Sequence, residues 1–116
     1  MNTPIKKKPV PREDDWIEKI YVMVRRIPKG KVTTYGALAD AIGSRLTSRM
    51  VGWAMNKAHT AKPKVPAHRV VNRNGMLTGK HHFATPTLMQ ELLEAEGIRI
   101  EDDKIKDFKT HYWTPS

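Results

Sequence analysis

From Ala41 to Phe83 the chain contains no Asp or Glu, yet Arg45, Arg49, Lys57, Lys62, Lys64, Arg69, Arg73 and Lys80 all fall inside that span. Nothing within the segment can neutralise these charges, so its fold must carry a positive field over part of its surface. Across 116 residues Lys and Arg outnumber Asp and Glu by 21 to 12, a net charge of +9, and eight of those nine charges come from the acid-free stretch. A polyanionic partner follows, nucleic acid first and an anionic membrane surface second. Charge alone does not separate DNA from RNA, and the solvated basic face of an RNA-associated protein also satisfies it.

With 39% apolar residues the chain supports one compact domain, expected over residues 13–116, preceded by a short arm over residues 1–12. The run Lys6-Lys7-Lys8-Pro9-Val10-Pro11-Arg12 has no apolar period, and its prolines and like charges oppose packing, so a mobile basic arm is expected. No stretch approaches the roughly 20 apolar residues of a membrane span, and the N-terminus lacks the apolar core of a signal peptide. The expectation is a soluble intracellular protein, cytoplasmic in a bacterium or nuclear in a eukaryote, with no membrane partner. The absence of cysteine removes disulfides, thiolate metal sites and thiol nucleophiles together. There is no glycine-rich phosphate loop. Adjacent His81 and His82 point apart, with no Cys or carboxylate cluster to complete a ligand set, so neither metal nor cofactor is expected.

The periodicity predicts helices. Trp16, Ile17, Ile20, Tyr21 and Val24 share one helical face after Asp14 and Asp15, and Pro28 and Gly30 stop that helix. Thr34 is positioned to cap a second, short helix with Leu38, Ala39 and Ile42 inward and Gly43 as its stop. Thr47 or Ser48 caps a third, with Met50, Val51, Ala54 and Met55 on one face and Arg49, Trp53 and Asn56 elsewhere. Two short helices joined by a tight turn suggest helix-turn-helix. Asn74-Gly75 between Val70-Val71 and Met76-Leu77 predicts a β-hairpin wing. Thr85-Pro86 predicts the start of a further helix, with Leu88, Met89, Leu92 and Leu93 inward and Gly97 at its end. The fold class expected is mainly α, a winged-helix-like helix-turn-helix DNA-binding domain with a small β-hairpin.

Four blocks in order, Ile27-Pro28-Lys29-Gly30-Lys31-Val32-Thr33-Thr34-Tyr35-Gly36, Arg49-Met50-Val51-Gly52-Trp53-Ala54-Met55, Pro66-Ala67-His68-Arg69-Val70-Val71 and Leu92-Leu93-Glu94-Ala95-Glu96-Gly97, resemble the C-terminal domain of the O6-alkylguanine-DNA alkyltransferases. In that family the third block reads Pro-Cys-His-Arg, and the cysteine takes the alkyl group from a flipped-out guanine. Here Ala67 occupies the cysteine position, and a methyl side chain has no lone pair with which to accept it. The resemblance implies that His68 and Glu96 are the relict of the family's acid–base relay and keep a structural role. It implies that Tyr35 presses on the phosphate 3′ to the target, that Arg49 fills the gap left by the flipped base, and that Gly52 lets the helix lie against the groove wall. Thr34, Ser48, Asn56, Arg69 and Arg73 join them as expected DNA contacts, and Tyr35, Met55, Ala67, Val70, His82 and Phe83 as the expected lesion pocket.

Two segments depart from the family pattern, Asn56-Lys57-Ala58-His59 and Lys80-His81-His82-Phe83, which leaves the size and polarity of the pocket open. Trp53 stays open between core and surface. The chain resembles the family's alkyltransferase-like members, which also lack the cysteine, bind O6-alkylguanine and hand it to nucleotide excision repair. The implied partners are duplex DNA containing O6-alkylguanine and excision-repair proteins, with the chain a non-enzymatic monomer. The rival expectation is a winged-helix regulator without lesion specificity.

Overall fold

The computed structural model describes residues 13–43 and 45–116, so the basic arm expected over residues 1–12 lies outside the described residues. The element order is α1 (Glu13–Arg25), β1 (Thr33–Thr34), α2 (Tyr35–Ile42), α3 (Ser48–Asn56), β2 (Val70–Val71), α4 (Leu88–Ala95), β3 (Ile100–Glu101), β4 (Lys104–Ile105) and α5 (Phe108–His111). The fold is mainly helical, as the periodicity predicts.

Helices of eight and nine residues do not persist in water by themselves, so α2 and α3 depend on their caps and on burial. The Thr34 hydroxyl accepts from Ala37 N at 3.1 Å and the Thr47 hydroxyl from Met50 N at 3.2 Å, each satisfying a donor that the first helical turn leaves open. Leu38 and Ala39 from α2 and Val51, Ala54 and Met55 from α3 then bury against Ile20, Tyr21 and Val24 of α1. The Tyr21 hydroxyl donates to Ala54 O at 2.9 Å, which fixes α3 on α1 with a buried polar contact.

The hairpin expected around Asn74-Gly75 is corrected. The turn forms: Gly75 has φ +76, and the Asn72 carboxamide oxygen accepts from Asn74 N and Met76 N at 2.9 and 2.8 Å. Val70-Val71 does not ladder with Met76-Leu77, however. It pairs in parallel with β1, Thr33 opposite Val70 and Thr34 opposite Val71, while Met76 bridges to Lys104. The antiparallel hairpin of the fold is β3–β4, turned by Asp102 and Asp103 at φ 51 and 60, the left-handed pair that a two-residue primed turn needs. Local turn chemistry was sufficient to make the bend; which strand Val70-Val71 joined was decided by complete burial of both valines.

Successive residues of a strand face opposite ways, so Val70 enters the cluster formed with α1, α2 and α3, and Val71 enters a second cluster with Val32, Leu77, Met89, Leu93, Ile98 and Ile105. Phe83 packs against both clusters. The second cluster rests on α4, whose start is also corrected. The helix begins at Leu88 rather than at Thr85-Pro86, and the Thr87 hydroxyl donates to Glu91 at 2.6 Å instead of capping the backbone. Its end follows expectation: Gly97 at φ +87 lets Gly97 N reach Glu94 O and Ile98 N reach Leu93 O, at 3.0 and 3.1 Å.

Replacing Thr34 with Ala removes the α2 cap and should lower unfolding free energy by about 1 kcal/mol in urea titration. A loss below a few tenths of a kcal/mol would show that packing alone sets the start of α2.

Candidate nucleic-acid interface and adjoining cavity

At about 100° per residue, Arg49, Gly52, Trp53 and Asn56 fall within roughly a quarter of the α3 circumference, opposite buried Val51, Ala54 and Met55. Arg49, Trp53 and Asn56 are exposed, and Ser48 at the start of the helix is exposed as well. A methyl group added at Gly52 would meet nothing within 4 Å. A mid-helix glycine costs roughly 1 kcal/mol relative to alanine, and no neighbour inside the protein requires this one. Arg45, Lys57, Lys62, Lys64 and Arg73 are also exposed, so most of the acid-free stretch presents its charge to solvent.

Two of its cations do not. Lys80 pairs with Asp103. Arg69, expected to grip a phosphate, turns inward: its Nε and Nη2 donate to the Glu96 carboxylate at 2.8 to 3.2 Å and its Nη1 to Ile27 O at 2.8 Å. The correction has a simple cause, since a buried carboxylate holds a guanidinium through two hydrogen bonds more firmly than water does.

Glu96 also accepts from Gly30 N at 2.9 Å and from His68 Nε2 at 2.6 Å. Burial opposes ionisation of Glu96, but the hydrogen bonds from Arg69, Gly30 and His68 outweigh it and bring the carboxyl down from 4.5 to about 2. Burial holds His68 below the ordinary histidine value, ahead of the opposing pull of the Glu96 carboxylate. A neutral imidazole donating from Nε2 then completes the cluster. The His68–Glu96 pair implied by the resemblance is therefore present.

Ala67 sits on a tight 3-10 turn, Ala67–Arg69, that leads into β2. Around it the fold gathers Tyr35, Met55, Ala67, His82 and Phe83, five of the six residues expected to line a pocket. Val70 is not among them; it is fully buried beneath the turn in the first hydrophobic cluster. Asn56, expected at the DNA, reaches the same cavity, as do His59, Gly79 and Met89, which sequence reading missed. Only His59 had a signal, its place in a segment that departs from the family pattern.

The cavity holds about 10 Å³, room for one water and far short of a nucleobase. Its walls are tight. A methyl group at Gly79 would lie 2.9 Å from the Tyr35 hydroxyl, so any larger residue there requires the phenol to shift. The Tyr35 phenol is pushed up in pKa by burial, against the lowering effect of its Thr78 hydrogen bond, and remains neutral. The His59 ring meets Phe83 edge-on at 4.7 Å between centroids. Beyond these residues lies a cleft of about 510 Å³ that shares Ala67, His59 and Phe83 as lining and continues to Lys64, Leu88 and Leu92.

Glu96→Gln leaves Arg69 without its carboxylate and should cost about 3 to 5 kcal/mol near neutral pH. Because the folded-state pKa of Glu96 lies below its unfolded value, this stabilisation is present above about pH 4.5 and fades as pH falls towards 2. Denaturation of both proteins across that range should show the two stability curves converging at the acid end. Parallel curves would remove Glu96 as the titrating group.

The DNA-binding domain model of 6-O-methylguanine DNA methyltransferase matches residues 15–98. Alkyltransferase-like protein 1 of Schizosaccharomyces pombe is 34% identical over 108 residues, 90% of this chain and 99% of that protein. The DNA base-flipping protein of Escherichia coli is 32% identical over 104 residues, 88% of this chain and 77% of that protein. The crystal structure of S. pombe Atl1 in complex with damaged DNA containing O6-carboxymethylguanine matches with a TM-score of 0.76 at 34% identity, covering 88% of this chain and 97% of that one. Fold, motif order and coverage agree, and the chain belongs to the alkyltransferase-like protein family, built on the 6-O-methylguanine DNA methyltransferase DNA-binding domain.

Proposed function

We propose that this protein recognises O6-alkylguanine in duplex DNA by placing the exposed face of α3 in the minor groove and rotating the damaged nucleotide out of the stack. The observation that carries this reading is one of position: α3 bears Arg49, Gly52 and Asn56 on its exposed face, and its Asn56 and Met55 line the cavity beside Ala67. A base displaced by the Arg49 side chain has the Tyr35, Met55 and Ala67 cavity beside the same helix. Unstacking costs a few kcal/mol, least at a damaged pair, which favours the lesion over normal guanine. Gly52 supports the same placement, because its missing side chain has no use inside the protein and clears the way for a close backbone approach.

The cavity must open to accept a base. Displacing the Thr78–His82 turn from Tyr35, and Phe83 from His59, joins it to the adjoining cleft and makes room for substituents larger than methyl. Binding is then an induced fit, with part of the affinity consumed by opening. The names of the relatives, alkyltransferase-like and DNA base-flipping, accord with this reading.

No alkyl transfer follows. Ala67 offers no nucleophile, and the chain has no cysteine anywhere. A complex that completes no reaction leaves the lesion in place, and we infer that the bound monomer marks the site for nucleotide excision repair. Incision by excision-repair proteins should rise when the protein is added to lesion-bearing duplex; an unchanged incision rate would remove that step.

Competitive binding at fixed salt between duplexes carrying guanine or O6-methylguanine tests the core of the reading, since affinities without stated salt are uninterpretable. A clear lesion preference that Arg49→Ala abolishes is expected. Equal affinity for the two duplexes would leave a general DNA-binding domain. Gly52→Ala should move the two readouts in opposite directions, raising unfolding free energy by roughly 0.5 to 1 kcal/mol while weakening DNA binding.

A further inference from the structure

The exposed face of α3 carries one residue that this mechanism leaves unused. Trp53 lies one turn beyond Arg49 and beside Gly52, and it is 41% exposed, among the largest apolar exposures of the described residues. An isolated apolar side chain on a surface needs no explanation. This one is held on two sides. Its ring lies 5.7 Å from that of Trp16, tilted by 31°, and the Lys57 ammonium stands 3.8 Å from its centroid. Stacking and cation–π attraction together restrict the indole to one orientation before any partner arrives.

We propose that Trp53 is a second DNA-contacting residue of α3, a preset apolar wedge that enters the minor groove alongside Arg49 and holds the duplex bent. The proposal rests on the placement of α3 in that groove. Minor-groove proteins that distort DNA combine cations for the phosphates with a rigid apolar side chain pressed against sugars and base steps. Trp53 has that company: Arg49 and Lys57 are within one turn of it, and no acidic residue occurs between Ala41 and Phe83. Its indole N–H is a donor, and the groove floor presents acceptors on every base pair. Because the orientation is fixed in the free protein, little side-chain entropy is lost on contact.

If Trp53 and Trp16 merely staple α3 to α1, removing the indole lowers stability and leaves DNA binding by the folded protein unchanged. Two measurements on the full chain separate these roles. The first compares wild type, Trp53→Ala and Trp53→Phe on guanine and O6-methylguanine duplexes labelled at both ends for energy transfer, below the melting temperature of each variant. Trp53→Ala should weaken both duplexes roughly tenfold, the loss of one aromatic contact, and reduce the bend, with Trp53→Phe recovering part of each. The second uses the Trp16→Phe, Trp113→Phe double variant, in which Trp53 is the sole tryptophan. Its emission should become shielded from acrylamide on adding either duplex.

Wild-type affinity and bend in folded Trp53→Ala, or unaltered acrylamide quenching with DNA bound, would overturn the proposal. If Trp53→Ala does not fold, the quenching measurement decides alone. Shielding of Trp53 without preference for the alkylated duplex would keep the wedge and reject lesion recognition, whereas lesion preference with an unshielded Trp53 would do the reverse.

Discussion

The carboxylate of Glu96 is the contact on which the arrangement of the site depends. It draws together Gly30 from the turn after α1, His68 and Arg69 from the turn before β2, and its own position at the end of α4, segments 27 to 66 residues apart in sequence. Arg69 extends the link to the Ile27 carbonyl. A buried charge is costly unless its hydrogen-bonding positions are filled, and here two side chains and a backbone amide fill them. The consequence is a stiff Ala67–Arg69 turn, anchored from below, at the seam between the two hydrophobic clusters.

That anchoring gives the His68–Glu96 pair a structural use that needs no thiol. A His–Glu pair beside a thiol serves to move a proton, whereas beside Ala67 there is no proton to move. The pair retains its geometry because Arg69 and Gly30 use the same carboxylate to hold the fold. Charge divides along the same line: Arg69 is consumed by the interior, while Arg45, Arg49 and Arg73 stay in solvent. A stretch that reads as uniformly basic thus contains both structural cations and cations available to a polyanion.

The stiffness below the site contrasts with closure above it. The cavity beside Ala67 is sealed by the Tyr35–Gly79 approach and by the His59–Phe83 edge contact, neither of which involves an ion pair or a backbone ladder. The His59–Phe83 contact is worth about a kcal/mol, and in the proposed function it is exchanged for contacts with the rotated base. The opening that the proposed function requires therefore moves the Tyr35 and Phe83 contacts over a rigid floor, while the Lys80–Asp103 pair still ties the Thr78–His82 turn to the fold.

Much of this was legible in the residues. The face of α1, the threonine caps of α2 and α3, the Gly97 stop of α4 and the exposed placement of Arg49 and Asn56 all follow from periodicity and capping chemistry, which act over a few residues and need no partner. The basic stretch and the absence of any cysteine were likewise settled by composition, and with them the preference for a polyanionic partner and the lack of a thiol nucleophile. What tertiary structure decided was long-range. Val70-Val71 joined β1 rather than its neighbour across the Asn-Gly turn because two buried valines needed opposite hydrophobic clusters, and Arg69 left the phosphate-binding set because a carboxylate 27 residues away offered a bidentate partner. His59, Gly79 and Met89 entered the cavity only through packing. Local rules specify which way a side chain faces on its own element; which elements then meet is set by burial and pairing across the whole chain.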